Sequence, residues 1–129
     1  MTQELTATRS QAEVCNVPCF DHEKVAAIQS TLAEEDERLP ELAEFYKLLG
    51  NTKRLKILLG LAEGELCVCD IAHVLNLSVA ATSHQLKLLR ERGWLRKRDD
   101  GKMVYYRLYS DDLLKALRGD LKMLEVRLG

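Results

Sequence analysis

The stretch ELCVCDIAHVLNLSVAATSHQLKLLRERGWLRKRDDGKMVYYRL, Glu65 to Leu108, changes its hydrophobic period part-way, and that change decides the fold. Up to Arg92 the apolar positions recur every three or four residues, as on a helix face. Val68 to Leu75 reads as a short helix with Ile71, Val74 and Leu75 inward, and Asn76-Leu77 as a tight link. Ser78 suits an N-cap for a second helix from Val79 to Arg92, and Gly93 stops it. Val79, Thr82, Leu86 and Leu89 form its expected inward face. The other side offers Ala80, Ser83, His84 and Lys87, with Gln85 beside them. A short helix, a tight turn and a longer basic helix make a helix-turn-helix over about 67–92. Small hydrogen-bonding groups ending in a cation suit the major groove of duplex DNA.

After Gly93 the period falls to two. Trp94 to Leu108 reads as two strands joined at Asp99-Asp100-Gly101, a hairpin that forms a wing over about 94–109. Arg96, Arg98 and Lys102 lie near its expected tip, placed for phosphate or minor-groove contact. An ordinary hairpin edge protected by charges is the plainer alternative.

Outward from this segment the chain is mostly helical. Residues 1–20 are polar and irregular and read as a flexible arm; 21–129 read as one winged helix-turn-helix domain. Val25, Ile28 and Leu32 recur at helical spacing, and Pro40 suits the first turn of a helix carrying Leu42, Phe45, Leu48 and Leu49. Asn51 caps a third helix with Leu55, Leu58, Leu59 and Ala62 inward and Gly64 closing it. A last helix, over about 110–128, carries Leu114, Leu117, Leu121, Leu124 and Leu128 in one narrow seam. The first helix offers a matching stripe, so a homodimer held by Val25, Ile28 and Leu32 with Leu114, Leu117, Leu121 and Leu124 is expected. The fold class is mainly α, with a two-stranded β-wing.

The net charge of −1 over 129 residues conceals a polar distribution. Met1 to Tyr46 holds ten acids against three bases, whereas His84 to Arg107 holds eight bases against three acids. A polyanion responds to the local field. No apolar run approaches the roughly 18 residues of a membrane span, and no secretory signal opens the chain, so a cytoplasmic, reducing location is expected. A His-acid constellation, a glycine-rich phosphate loop and a nucleophile elbow are all missing, which argues against an enzyme.

In a reducing compartment the four cysteines, Cys15 and Cys19 in CNVPC and Cys67 and Cys69 in ELCVCD, point to metal or redox chemistry. Neither pair completes a tetrahedral site, but two plus two does. Four thiolates suit Zn²⁺, Cd²⁺, Pb²⁺ and other thiophilic ions. Residues i and i+2 of a regular helix diverge, so Cys67 and Cys69 face one ion only if the chain there is still extended. Asp70 and His22 are alternative ligands, although a helix cap or a solvated side chain is the plainer role for each. A dithiol redox switch and a purely structural zinc are the competing readings.

ELCVCD and SHQLKLLRERGWL, followed by the basic hairpin, resemble the ArsR/SmtB family of metal-sensing repressors over about Glu41 to Leu128. The cysteine-bearing arm resembles that family's cadmium-, lead- and zinc-sensing branch. The resemblance implies a dimer that represses a metal-efflux or sequestration operon and leaves its double-stranded operator when metal binds. It implies Cys15, Cys19, Cys67 and Cys69 as ligands, often shared across the dimer, with no organic cofactor and no membrane partner. Many relatives carry a second site on the last helix, made from Asp-x-His and a later His/Glu pair. Here those positions read Ser110, Asp111 and Asp112, then Met123 and Val126, so that second site is expected to be missing.

Overall fold

The computed structural model describes residues 19–128. Six helices run in chain order with three short strands: α1 (His22–Ala33), α2 (Leu39–Leu49), α3 (Thr52–Gly60), β1 (Leu66–Cys67), α4 (Val68–Leu75), α5 (Val79–Glu91), β2 (Leu95–Asp100), β3 (Met103–Leu108) and α6 (Asp111–Leu128). The chain divides into two compact units between Ala43 and Glu44. In the first, Asp21 caps α1 by accepting the Lys24 amide at 3.0 Å. Val25 is half-buried there, while Ile28 and Leu32 are exposed.

In the second unit, caps and stops fix the helix-turn-helix. Asn51 Oδ1 accepts the amides of Lys53 and Arg54, so α3 starts where expected. It ends earlier than expected, at Gly60, because Leu61–Glu63 tighten into a 3₁₀ turn before Gly64 at φ +128°. That turn brings Leu61 into the core with Ile57, neither of which the helical spacing had placed there. Asn76 closes α4 in the left-handed region, where the Leu77 amide reaches back to the Ala72 carbonyl. Ser78 Oγ accepts the Ala81 amide and starts α5 at the next residue, Val79. Gly93, at φ +87°, lets the Trp94 amide reach the Leu89 carbonyl, a Schellman closure that turns the chain into β2.

The core gathers Leu48, Leu49, Ile57, Leu58, Ile71, Leu75, Leu86, Leu89, Leu95, Tyr106 and Leu108, with Leu113 and Leu117 of α6. Leu86 and Leu89 are fully enclosed, and so is Thr82, whose hydroxyl is satisfied by donating to the Ser78 carbonyl at 2.8 Å. Three residues expected inward lie outside: Leu42, Val74 and Val79 are exposed. For α5 the reason is the cap. With Ser78 holding the first turn, the buried face begins at Thr82.

The sheet differs from the expected two-stranded hairpin in two ways. β1 adds a third strand, in the order β1-β3-β2, with Cys67 opposite Tyr105. The turn also falls later than Asp99-Asp100-Gly101. Asp99 and Asp100 complete β2, Asp100 pairs with Met103, and only Gly101-Lys102 turn. Gly101 has φ +62° and no positive φ follows at Lys102, the pattern of a two-residue II′ turn.

Candidate metal centre and nucleic-acid interface

Cys67 and Cys69 straddle a strand-to-helix junction. Cys67 is still extended (φ −80°, ψ 164°), pairs in β1, and occupies the N-cap position of α4; Cys69 lies in the first helical turn. The break in helical geometry that a shared ion requires is therefore present. Cys67 is only 5% exposed and Cys69 is exposed, yet both line one groove of about 270 Å³. Its other walls are Val68 between the two thiols, Val79 and Ser83 of α5, and Lys102 to Val104 of the wing. The donor set fits half of a four-coordinate thiophilic site.

The other expected ligands are placed differently. Asp70 sits exposed in the first turn of α4 and caps nothing. His22 opens α1, with its ring centroid 4.3 Å from that of Phe20. Cys19 is exposed, and Cys15 lies outside the described residues. Among the described residues no three His, Cys, Asp or Glu side chains cluster as a metal site. His73 had not been singled out. Its Nδ1–H donates to the Cys69 carbonyl at 2.8 Å, bracing the turn that carries the thiol.

On α5, Ala80, His84 and Lys87 are exposed, while Ser83 is half-buried at the thiol groove. Two residues expected to face DNA are engaged within the chain. Gln85 Oε1 accepts Arg54 Nε at 2.9 Å, and the same guanidinium donates to the Leu48 carbonyl at 3.1 Å. Arg98 grips Glu65 through Nη2 at 2.8 Å and Nε at 3.1 and 3.2 Å, lies 3.5 Å from Asp100, and stacks over the Tyr105 ring at 4.6 Å. Its hydrogen bonds to Glu65 raise the Arg98 pKa, and the same contact lowers that of Glu65. Arg98 is thus a latch between the wing and Glu65, the residue that leads into β1. Lys102 is exposed in the turn itself.

A second concavity, of about 520 Å³, was not anticipated. Arg90 at the end of α5 joins Arg96, Lys97, Arg98 and Arg107, with Asp99 as its one acid. Asp99 lies 3.8 Å from Lys97. Arg96 stands directly opposite Arg107 across the ladder and stacks on Tyr109 at 4.6 Å. Like charges directly opposite destabilise a hairpin, so this pair calls for an anion.

The family model of arsR-family bacterial regulatory proteins matches residues 51–97. The chain is 41% identical over 106 residues to the cadmium resistance transcriptional regulatory protein CadC of Listeria innocua, covering 81% of this chain and 87% of that one. This chain belongs to the arsR family. A transcriptional repressor SmtB homolog of Synechocystis is 30% identical over 118 residues, covering 92% of this chain and 89% of that one. Among solved structures, the homodimeric winged helix-turn-helix DNA-binding domain Mb0332 of Mycobacterium bovis superposes with a TM-score of 0.66 at 28% identity, covering 74% of this chain and 88% of that chain. These arsR-type relatives are transcriptional regulators, not enzymes. Among the described residues no helix is long and apolar enough to cross a membrane.

In this arsR-family chain the C-terminal seam is split. Leu117 was expected at a pairing interface but fills the chain's own core, and Leu114 is half-buried. Leu121 and Leu124, 51% and 40% exposed, instead edge an apolar groove of about 300 Å³ floored by Leu49, Leu55 and Leu59.

Proposed function

We propose that this chain is a cytoplasmic, metal-responsive transcriptional repressor. It binds operator DNA as a homodimer and releases it when Zn²⁺, Cd²⁺ or Pb²⁺ occupies a cysteine site, derepressing metal efflux or sequestration genes. The observation that carries this reading is the shared groove. Cys67 and Cys69 have the recognition helix (Val79, Ser83) and the wing (Lys102–Val104) as their neighbours. An ion held there acts on both DNA-reading elements at once. Cys15 and Cys19 of the arm complete the thiolate set in this reading, with Asp70 or His22 as substitutes.

DNA is read by Ala80, Ser83, His84 and Lys87 of α5, while Lys102, Arg96, Arg90 and Arg107 serve the phosphates. The Glu65–Arg98 latch carries any shift of the C-x-C segment into the wing. Leu121 and Leu124 cover their apolar groove with the second copy, and α1 offers Val25, Ile28 and Leu32. Metal and operator then favour different arrangements of the dimer, with a coupling on the order of 1–3 kcal/mol. Titrating Cd²⁺ into the repressor–operator complex is expected to weaken DNA binding about tenfold or more. Unchanged operator affinity at saturating metal would remove the sensor reading.

A further inference from the structure

The thiol groove holds a third sulfur that the cysteine count overlooks. Met103, the first residue of β3, lines it together with Cys67 and Cys69. The strand register explains why. Cys67 lies opposite Tyr105, and Met103 is two residues along from Tyr105, so it projects from the same sheet face, diagonal to Cys67. Diagonal partners sit roughly 7–8 Å apart, within the reach of a long side chain. Met103 is also 40% exposed on a wing where packing does not demand a thioether.

The remaining walls narrow the choice of ligand. Val79 and Val104 give the groove an apolar lining, which disfavours an ion that keeps bound water. Lys102 contributes a positive charge. Two thiolates and a neutral thioether around a monovalent cation carry a net −1, which the Lys102 ammonium balances. Soft thiolate and thioether donors select soft ions, with Cu⁺ the type case among biological metals. Building on the thiol-sensor reading above, we propose that Cys67, Cys69 and Met103 also form, at the same two thiols, a three-sulfur half-site for a monovalent soft cation, Cu⁺ or Ag⁺. It works without the arm cysteines. On binding, both thiols release their protons to solvent and all three sulfurs donate to the ion, with no change of oxidation state.

The test uses Ag⁺, which avoids copper redox chemistry, on the full-length C15S/C19S chain. Affinity is read by competition with a calibrated chelator, following thiolate charge-transfer absorption. The expected result is one Ag⁺ per chain, with M103L, a volume-conserving change, weakening it about tenfold or more. In the chain with all four cysteines, M103L should leave Cd²⁺ affinity within about twofold, since the thiolates alone serve that ion. No Ag⁺ binding by C15S/C19S, or an Ag⁺ affinity indifferent to M103L, overturns the proposal. Equal weakening of Ag⁺ and Cd²⁺ also overturns it, because Met103 would then merely pack the groove. If Cd²⁺ fails to release operator while Ag⁺ binding still depends on Met103, the sensor reading falls and the half-site stands.

Discussion

The two ends of α5 face opposite kinds of chemistry. At its start, Val79 and Ser83 border a groove of sulfur and hydrocarbon with a single cation at the rim. At its end, Arg90 borders a cavity where four further basic side chains meet one acid. The first concavity has the lining to hold a soft cation, the second to hold a phosphate. The same helix and the same hairpin build both. Signal and target need no long relay when they flank one helix.

The largest way to break this contrast is to unseat the helix itself. Leu86 is fully buried, so L86A should cost about 3 kcal/mol of stability, roughly 150-fold in the folding constant, as read by denaturant unfolding. Both concavities should then be lost together, in one unfolding transition shifted to lower denaturant. The next change separates them. C69S should reduce Cd²⁺ affinity about a hundredfold or more while metal-free operator affinity stays the same, because the cationic cavity is untouched. Direct metal competition and fluorescence anisotropy on operator DNA check the two halves.

The converse change sharpens the contrast from the other side. R96Q/R107Q should lower the salt dependence of operator binding by roughly two ions per protomer and leave Cd²⁺ affinity intact. Thermal stability should hold or rise slightly, since a like-charge pair is relieved. An unchanged salt slope would demote the cavity to a charged hairpin edge. The smallest effect concerns the latch. Arg98 lowers the Glu65 pKa, so the latch's contribution is fully present above Glu65's ordinary carboxyl value and fades as pH falls through the depressed folded one. Carboxyl NMR titration should place Glu65 below the usual range, and R98K, lacking the planar fork, should move it back towards that range.

How much of this the residues disclosed depends on whether a feature is local. Asn51 and Ser78 announced their caps, and Gly93 its stop, because each rests on one side chain or one φ angle. β1 was not legible, since two residues are too few to show alternation. The Asp-Gly pair misled. Asp100 closes the ladder against Met103, and Gly101 takes the first turn position, not the second. A turn at Asp99-Asp100-Gly101 would set Arg98 against Lys102; the actual turn sets it against Tyr105. That three-residue difference in register is odd, so it changes which side chains share a face. It hid the Arg96–Arg107 confrontation, whereas the approach of Met103 to Cys67 was hidden with β1. The Glu65 and Gln85 contacts join residues more than thirty positions apart, and no spacing rule reaches them.

Arg54 pins the reading helix in a way that bears on how the molecule can respond. Its guanidinium spans the carbonyl end of α2 at Leu48 and the middle of α5 at Gln85. For α5 to roll about its own axis, the Arg54–Gln85 hydrogen bond would have to open, while Arg54 kept its hold on the Leu48 carbonyl. Rotation of α5 is therefore resisted at its middle by a contact to α3, like a shaft held by a cotter, whereas among the described residues no such side-chain bond ties the wing turn at Gly101-Lys102.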